Sequence, residues 1–384
     1  MAMDGVQRTS AGGQKLDHAL NSVDEVLVAL QDTCGPVRSI SVPVARAVGL
    51  IAAQDLVAHQ PIPLQDEALV DGRALASVDL IGASSLSPAF AMNEPPIVRV
   101  GDLVPSGCDC VIDDALIVRG QGIFEIQGAA APGDGVRRAG EDVSVGAALL
   151  RAGQRITLWH AHVLEAAGRS ALDVRRLRVR VIVASSRSSD EAACRLVAAL
   201  ARSEGMDVDV GAGDQHVSTA LQGDWDAALV VGGCGVSDDD HAVEALRDCG
   251  RVIAHGFALD PGRMGAVAVV SSRPVICLPG RFESALALYL ALVRPVLQQL
   301  SGAEQLIAAA QATLTRKISS SVGVAQICLL ASADSQWAPL AVGDITLASL
   351  LRAEAYMVIA QGSEGFAEGA LVRPLLMPGR SGWA

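Results

Sequence analysis

Hydrophobic positions along the chain change period several times. Val23, Val26, Leu27 and Leu30 recur at helical spacing. Ser22, followed three residues later by Glu25, reads as a capping box at the start of that helix. A second helix is expected over 45–53. From 58 to 146 short apolar runs (97–100, 110–112, 123–126) alternate with Pro, Gly, Asp and Asn clusters. This predicts a β-rich region with many turns. Helical character returns over 147–174, with Leu158, His162, Leu164 and Ala167 in one run.

Residues 178–302 give the clearest pattern. A β-branched strand over 179–184 leads into a helix capped by Ser189. Asp190 and Glu191 stand in its first turn, where carboxylates suit the helix dipole. Its apolar face is Ala193, Leu196, Val197 and Leu200. Further strands are expected over 208–210, 227–231, 252–254, 267–270 and 275–278. A last helix over 284–300 should be kinked or ended by Pro295. Strands alternating with helices imply a mostly parallel sheet covered on both faces. Residues 303–384 carry short β-like runs (324–330, 357–359, 371–376) and read as a small β-barrel or sandwich. The organisation expected is a mobile tail (1–20), a discontinuous helical domain (21–57 and 147–177), a β-rich insertion (58–146), an α/β domain (178–302) and a C-terminal β domain (303–384).

Composition narrows the function classes. With 51% hydrophobic residues, 384 positions suffice for several cores, yet no apolar run is long enough for a spanning helix. The net charge of −12 argues against general nucleic-acid binding, which needs a basic footprint. Lys15 and Lys317 are the only lysines, so a local anion site must use arginine. Eight scattered cysteines and a start without an apolar run point to a reducing, cytoplasmic setting with free thiols. Cys108 and Cys110 are expected as buried thiols on one strand face, because C-x-C is not the common zinc spacing.

Ligands of parallel α/β sheets bind at the carboxyl ends of strands. The strand at 227–231 runs into Gly232-Gly-Cys-Gly-Val-Ser-Asp238, a turn that can bring amide groups against a phosphate or pterin. Asp238, Asp239 and Asp240 follow; they either cap the next helix or hold a hard cation that bridges to phosphate. The strand at 275–278 runs into Leu278-Pro-Gly280-Arg281 and Ser284, where Arg281 either meets an anion or is a surface arginine. Arg263, after the strand at 252–254, is a second anion candidate, and His255 reads as a packing residue. His160 and His162 point in different directions on a helix and read as structural. Asp66, Asp71 and Asp142, beside Arg137, are carboxylates of the β-rich region that suit a metal and an oxyanion or are solvated turn residues.

In order along the chain, these clusters resemble one family, the molybdopterin molybdenumtransferases of MoeA type, related to the gephyrin E-domain. Residues 61–72, with Asp66 and Asp71-Gly72, resemble its LPPFDNSAMDGYA segment. Residues 104–111 resemble LPxGADAV, and Gly140-Glu-Asp142 with Gly146 and Leu150 resembles GEDIxxGxxLL. Asp226, Gly232-Gly233 and Asp240 resemble DLVITSGGVSxGxxD; Pro261-Gly262-Arg263 resembles KPGKP; residues 278–285 and Arg294-Pro295 resemble LPGNPxSA…RP. The likeness covers roughly residues 20–302.

The resemblance implies an α/β multidomain, elongated subunit that forms a homodimer. Its parts would be a molybdopterin-binding-like α/β domain on a mostly parallel sheet, a β-rich inserted domain, a helical segment and a small C-terminal β-barrel. It implies Mg²⁺-dependent insertion of molybdate into adenylylated molybdopterin with release of AMP. The alternative is a catalytically degenerate member that binds molybdopterin or finished cofactor and scaffolds its delivery to a partner enzyme. It places Asp66, Asp71 and Asp142 among the catalytic groups, and Gly232, Gly233, Ser237, Arg263, Gly280, Arg281 and Ser284 around the cofactor. Asp226, Asp238 and Asp240 would hold the metal. Several positions depart from the family pattern. Asp260 and Arg281 stand where it has lysine and asparagine, and residues 185–190 lack its glycine and acidic pair. Arg187, Arg263 and Arg281 are the groups available to compensate.

Overall fold

The computed structural model describes residues 19–379 except 121, 186, 212–215, 305 and 307. Apart from its last two residues, the tail expected over 1–20 lies outside the described residues. A six-stranded sheet forms the centre, in the order Asp207–Val210, Arg178–Val183, Ala227–Val231, Arg273–Leu278, Ala266–Val270, Arg251–His255. The first four strands pair in parallel, and Ala266–Val270 pairs antiparallel with both of its neighbours. Ala227–Val231 is buried along its whole length. Its side chains alternate between two cores. Ala227, Leu229 and Val231 face the Ser188–Ser203 and Phe282–Leu288 helices, and Ala228 and Val230 face Trp225 and the Ala242–Cys249 helix. An unbroken apolar run is what a strand covered on both faces requires.

The helix after the sheet starts earlier than expected. It runs as Phe282–Leu288, a π turn over Tyr289–Val293, and Arg294–Ser301, ending on Gly302 at φ +67°. Pro295 sits at the head of the last segment. It has no N–H for the preceding turn, and the wider π turn lies where that bond is missing.

Other local expectations are corrected. The helical run expected over 147–174 is one short helix, Leu158–Ala166, between the strands Ala148–Leu150 and Ala171–Arg175. Residues 45–53 are not a helix: a 3₁₀ turn Val44–Arg46 is followed by the strand Ile51–Ala52, which pairs with Arg175 and Val174. Gly49 at φ +87° reverses the chain between them, and Val44, Ala47 and Ala52 fill a core with Leu164 and Leu172. Ser22 does precede the Val23–Thr33 helix, but its side chain makes no capping bond. Arg187, not Ser189, precedes Ser188–Ser203, so Ser189 lies inside the first turn and is free to bond elsewhere.

Residues 58–146 form small sheets, among them Ser84–Ala91 with Phe124–Gly128 and Ile117–Arg119, and Gly72–Leu75 between Ile97–Val98 and Cys110–Ile112. At the end of the chain Gln336–Val342, Gln326–Ala333, Ala355–Ile359 and Leu375–Leu376 make an antiparallel sheet. Among the described residues no helix is long and apolar enough to cross a membrane.

All eight cysteines are free. Cys108 and Cys110 do not share a strand face. Cys108 lies in a turn whose N–H reaches Pro105 O (3.0 Å) and packs near Val104, whereas Cys110 is buried with Leu75 and Ile112. Burial pushes the thiols of Cys277 and Cys328 up to about 12, and burial with the neighbouring Asp109 charge pushes Cys110 to about 11. Only thiolates react readily with alkylating agents. In the native protein near pH 8, Cys249 and Cys108, the two half-buried thiols, should therefore be labelled first, and the other six only on unfolding. Mass spectrometry of a labelling time course checks this; Cys277 reacting as fast as Cys249 would contradict it.

Candidate functional site

Val183, Val231 and Leu278 stand side by side where three parallel strands end. Gly232 continues from there, its N–H donating to Leu278 O at 2.8 Å. Gly232 and Gly233 hold φ values of +87° and +66°, which favour glycine and turn the chain outward from the sheet. Against this turn lies Asp190, only 3% exposed. The hydroxyls of Ser185 and Ser189 donate to its two oxygens, the latter at 3.0 Å. A Cβ built on Gly232 would lie 2.2 Å from one Asp190 oxygen, and a Cβ on Gly280 1.7 Å from the other. The carboxylate is thus wedged between two glycine turns that belong to different strands.

Sequence reasoning assigned Asp190 only to the helix dipole. The signal that marks it is the surrounding run of serines, since a buried carboxylate needs donors.

The loop after Gly233 is closed by a second buried carboxylate. Asp240 accepts from Ser237 N at 3.0 Å, and a Cβ on Gly235 would meet it at 2.4 Å. The Ala242 N–H returns to Gly233 O at 2.9 Å. His255 is fully buried and donates from Nε2 to Cys234 O at 2.9 Å, which fixes the same loop and fits the expected structural role. Asp238 and Asp239 are exposed, and Asp239 lies 3.5 Å from Arg187 across the rim.

Asp226 is a correction. It precedes Ala227–Val231, at the opposite end of the strand from Gly232, about 17–20 Å away at the rise of a strand. It accepts from Arg178 N (2.8 Å) and pairs with the Arg178 guanidinium (3.2 Å). It cannot share a cation with Asp238 or Asp240.

The rim opens into a cleft of about 770 Å³. Arg263, Arg281 and Ser284 line it together with Asp260, Glu283 and Asp344. A Cβ built on Gly262 would lie 2.8 Å from Leu259 Cδ2 and 3.6 Å from Ser284 O, so the turn at 260–264 sits close on the head of the Phe282–Leu288 helix. Three of the expected ligand-binding side chains therefore meet in one place, next to Gly280. Arg281 is tied back to Glu283.

Asp66, Asp71 and Asp142 are elsewhere. Asp66 accepts from Ala139 N and Asp71 from Val100 N, each at 2.8 Å, and Asp142 pairs with Arg137 at 3.3 Å. Asp71 borders a separate cavity of about 320 Å³. No hydrogen bond or ion pair among the described residues links these three to the rim. His160 accepts from Thr157 N at 3.0 Å within a capping box, as a structural histidine should.

Two family models match this chain: the MoeA N-terminal region (domain I and II) over residues 20–168, and a probable molybdopterin binding domain over 186–299. The chain belongs to the MoeA family. A putative molybdopterin biosynthesis protein of Methanocaldococcus jannaschii is 25% identical over 374 residues, with 88% of this chain and 92% of that one covered. Molybdopterin molybdenumtransferase 2 of Mycobacterium tuberculosis is 28% identical over 335 residues, with 74% and 80% covered. The crystal structure of the MoeA protein of Pyrococcus horikoshii matches 95% of this chain and all of its own, with a TM-score of 0.73 at 24% identity. That likeness extends the MoeA fold to nearly the whole chain.

The donor set of this MoeA-family protein bears on the Mg²⁺ expected from the sequence. Asp190 and Asp240 are already engaged by Ser185, Ser189 and Ser237. Among the described residues no group of three or more His, Cys, Asp or Glu is arranged to hold a metal. Mg²⁺ is commonly held by one or two carboxylates together with substrate phosphates and water. The exposed Asp238 and Asp239 fit that mode, as partners for an ion carried in by a phosphate ligand. They do not form a cage.

Proposed function

We propose that the protein binds molybdopterin at the glycine rim and acts in molybdenum cofactor biosynthesis, inserting molybdate into adenylylated molybdopterin with release of AMP. The observation that carries this reading is the Asp190 carboxylate wedged between Gly232 and Gly280, beside the cleft of Arg263, Arg281 and Ser284. It lies within the segment matched by the molybdopterin binding domain model, and relatives named molybdopterin molybdenumtransferase support it. Gly232 and Gly233 let a phosphate or pterin edge approach the backbone, and Asp190 holds the two turns in register. Arg263 faces the ligand's negative charge. The chemistry a bound Mg²⁺ would supply here is neutralisation of phosphate charge. Asp238 and Asp239 would hold the ion. The reading includes a homodimer, in which Asp66, Asp71 and Asp142 of the β-rich region serve the reaction.

A second reading is a binder that carries or scaffolds the cofactor without turnover. It is favoured by Arg281, whose charge is spent on Glu283. Titration with molybdopterin and with its adenylylated form, with and without Mg²⁺ and molybdate, separates the two. Binding with AMP release supports the transferase, and binding without release supports the carrier. Absence of binding removes both.

A further inference from the structure

Five ionisable side chains line the 770 Å³ cleft: Asp260, Glu283 and Asp344 against Arg263 and Arg281. Arg281 and Glu283 neutralise each other. Asp260, Asp344 and Arg263 are exposed and have no ion-pair partner among the described residues. The free charge facing a ligand is therefore two negative against one positive. The two acids rise from adjoining backbone, since a Cβ on Gly343 would lie 3.4 Å from Asp260 O. A bare dianion entering here meets net repulsion, deepened by the −12 charge of the chain. An anion already chelated to a divalent cation offers the reverse pattern, with a positive part for Asp260 and Asp344 and oxygens for Arg263.

We propose that this cleft takes phosphate-type oxyanions only as their divalent-cation complexes, and that Asp260 sets this selectivity. The proposal rests on the reading above only in treating the cleft as a ligand site. Asp260 is exposed on the cleft, and no hydrogen bond or ion pair of its side chain is found among the described residues, so a change there alters the field more than the fold.

The test is equilibrium dialysis of the full chain with inorganic phosphate and, separately, molybdate, at low ionic strength, with and without Mg²⁺. Wild type is compared with Asp260→Asn and Asp260→Lys. Bare anions should bind Asp260→Lys about tenfold or more tighter than wild type, with Asp260→Asn between, because two units of charge are reversed beside a dianion. Added salt should erase the gain. Wild type should retain phosphate only when Mg²⁺ is present. Equal bare-anion affinity in wild type and Asp260→Lys overturns the proposal, whether both bind or neither does. Unchanged circular dichroism and melting of the variants show that folding is not the cause. Molybdopterin titration of wild type is a separate readout: its failure would remove the pterin reading without touching the anion comparison.

Discussion

Gly280→Ala should abolish ligand binding at the rim and cost about 1–3 kcal/mol of stability, the usual range for forcing an extra carbon into a packed site. The added Cβ would lie 1.7 Å from one Asp190 oxygen and 2.4 Å from its carboxyl carbon. Asp190 has no room to retreat. Gly232 stands on its other side, and two serine hydroxyls hold it. Relief requires the turn after Arg273–Leu278 to move away from the Ser188–Ser203 helix, which opens the rim. Asp190→Ala/Gly280→Ala removes the clash and should recover much of the loss, with a coupling of about 1 kcal/mol or more between the two positions. Urea unfolding of the four proteins measures this coupling, and molybdopterin titration measures the rim. A wild-type midpoint for Gly280→Ala would mean that the two turns separate freely and that Asp190 does not hold them.

The α/β core was legible because its strands are β-branched runs of the right length, and 227–231 appears with those bounds. Segments whose residues suit several states were not. Residues 45–53 carry four alanines with Arg46, Val48, Leu50 and Ile51, a composition that suits a helix, yet Gly49 and pairing with Val174 and Arg175 make them a turn and a strand. Tertiary pairing decided there, not local propensity. The site was half legible. Glycine turns after strands announced the rim, and Arg263, Arg281 and Ser284 did come together. Asp226 was misplaced because a motif spanning a strand does not say which end faces a ligand. Asp190 was missed because a helix-start aspartate has an ordinary use, and only packing shows it turned inward. Asp240, expected either to cap the next helix or to hold a cation, is buried as the brace of its own loop.

Arg294→Met should destabilise the protein by about 3–5 kcal/mol, because it strands a buried carboxylate. Arg294 and Glu204 have side chains only 5% and 13% exposed. The guanidinium donates through Nε to Glu204 at 2.6 Å and through Nη1 to the Tyr356 hydroxyl at 3.0 Å and Leu376 O at 2.8 Å. Tyr289, in the π turn, donates to the other Glu204 oxygen at 2.8 Å. Burial and the Glu204 charge push this phenol well up, so it remains a donor. Arg155 joins the Glu204 carbonyl to Gly49 O. One cluster thus ties the helix behind the central sheet to the C-terminal strands and to the turn at Gly49. Arg294→Lys keeps the charge and loses the planar fork, so it should restore only part of the stability. Glu204→Gln/Arg294→Met removes both charges and should cost less than the sum of its parts. In Arg294→Met, hydrogen exchange at Ala355–Ile359 should proceed by opening at lower free energy than in the central sheet. If both sheets kept wild-type protection, packing of Tyr289 and Tyr356 would be holding the two sheets together, and the ion pair would be a passenger in that contact.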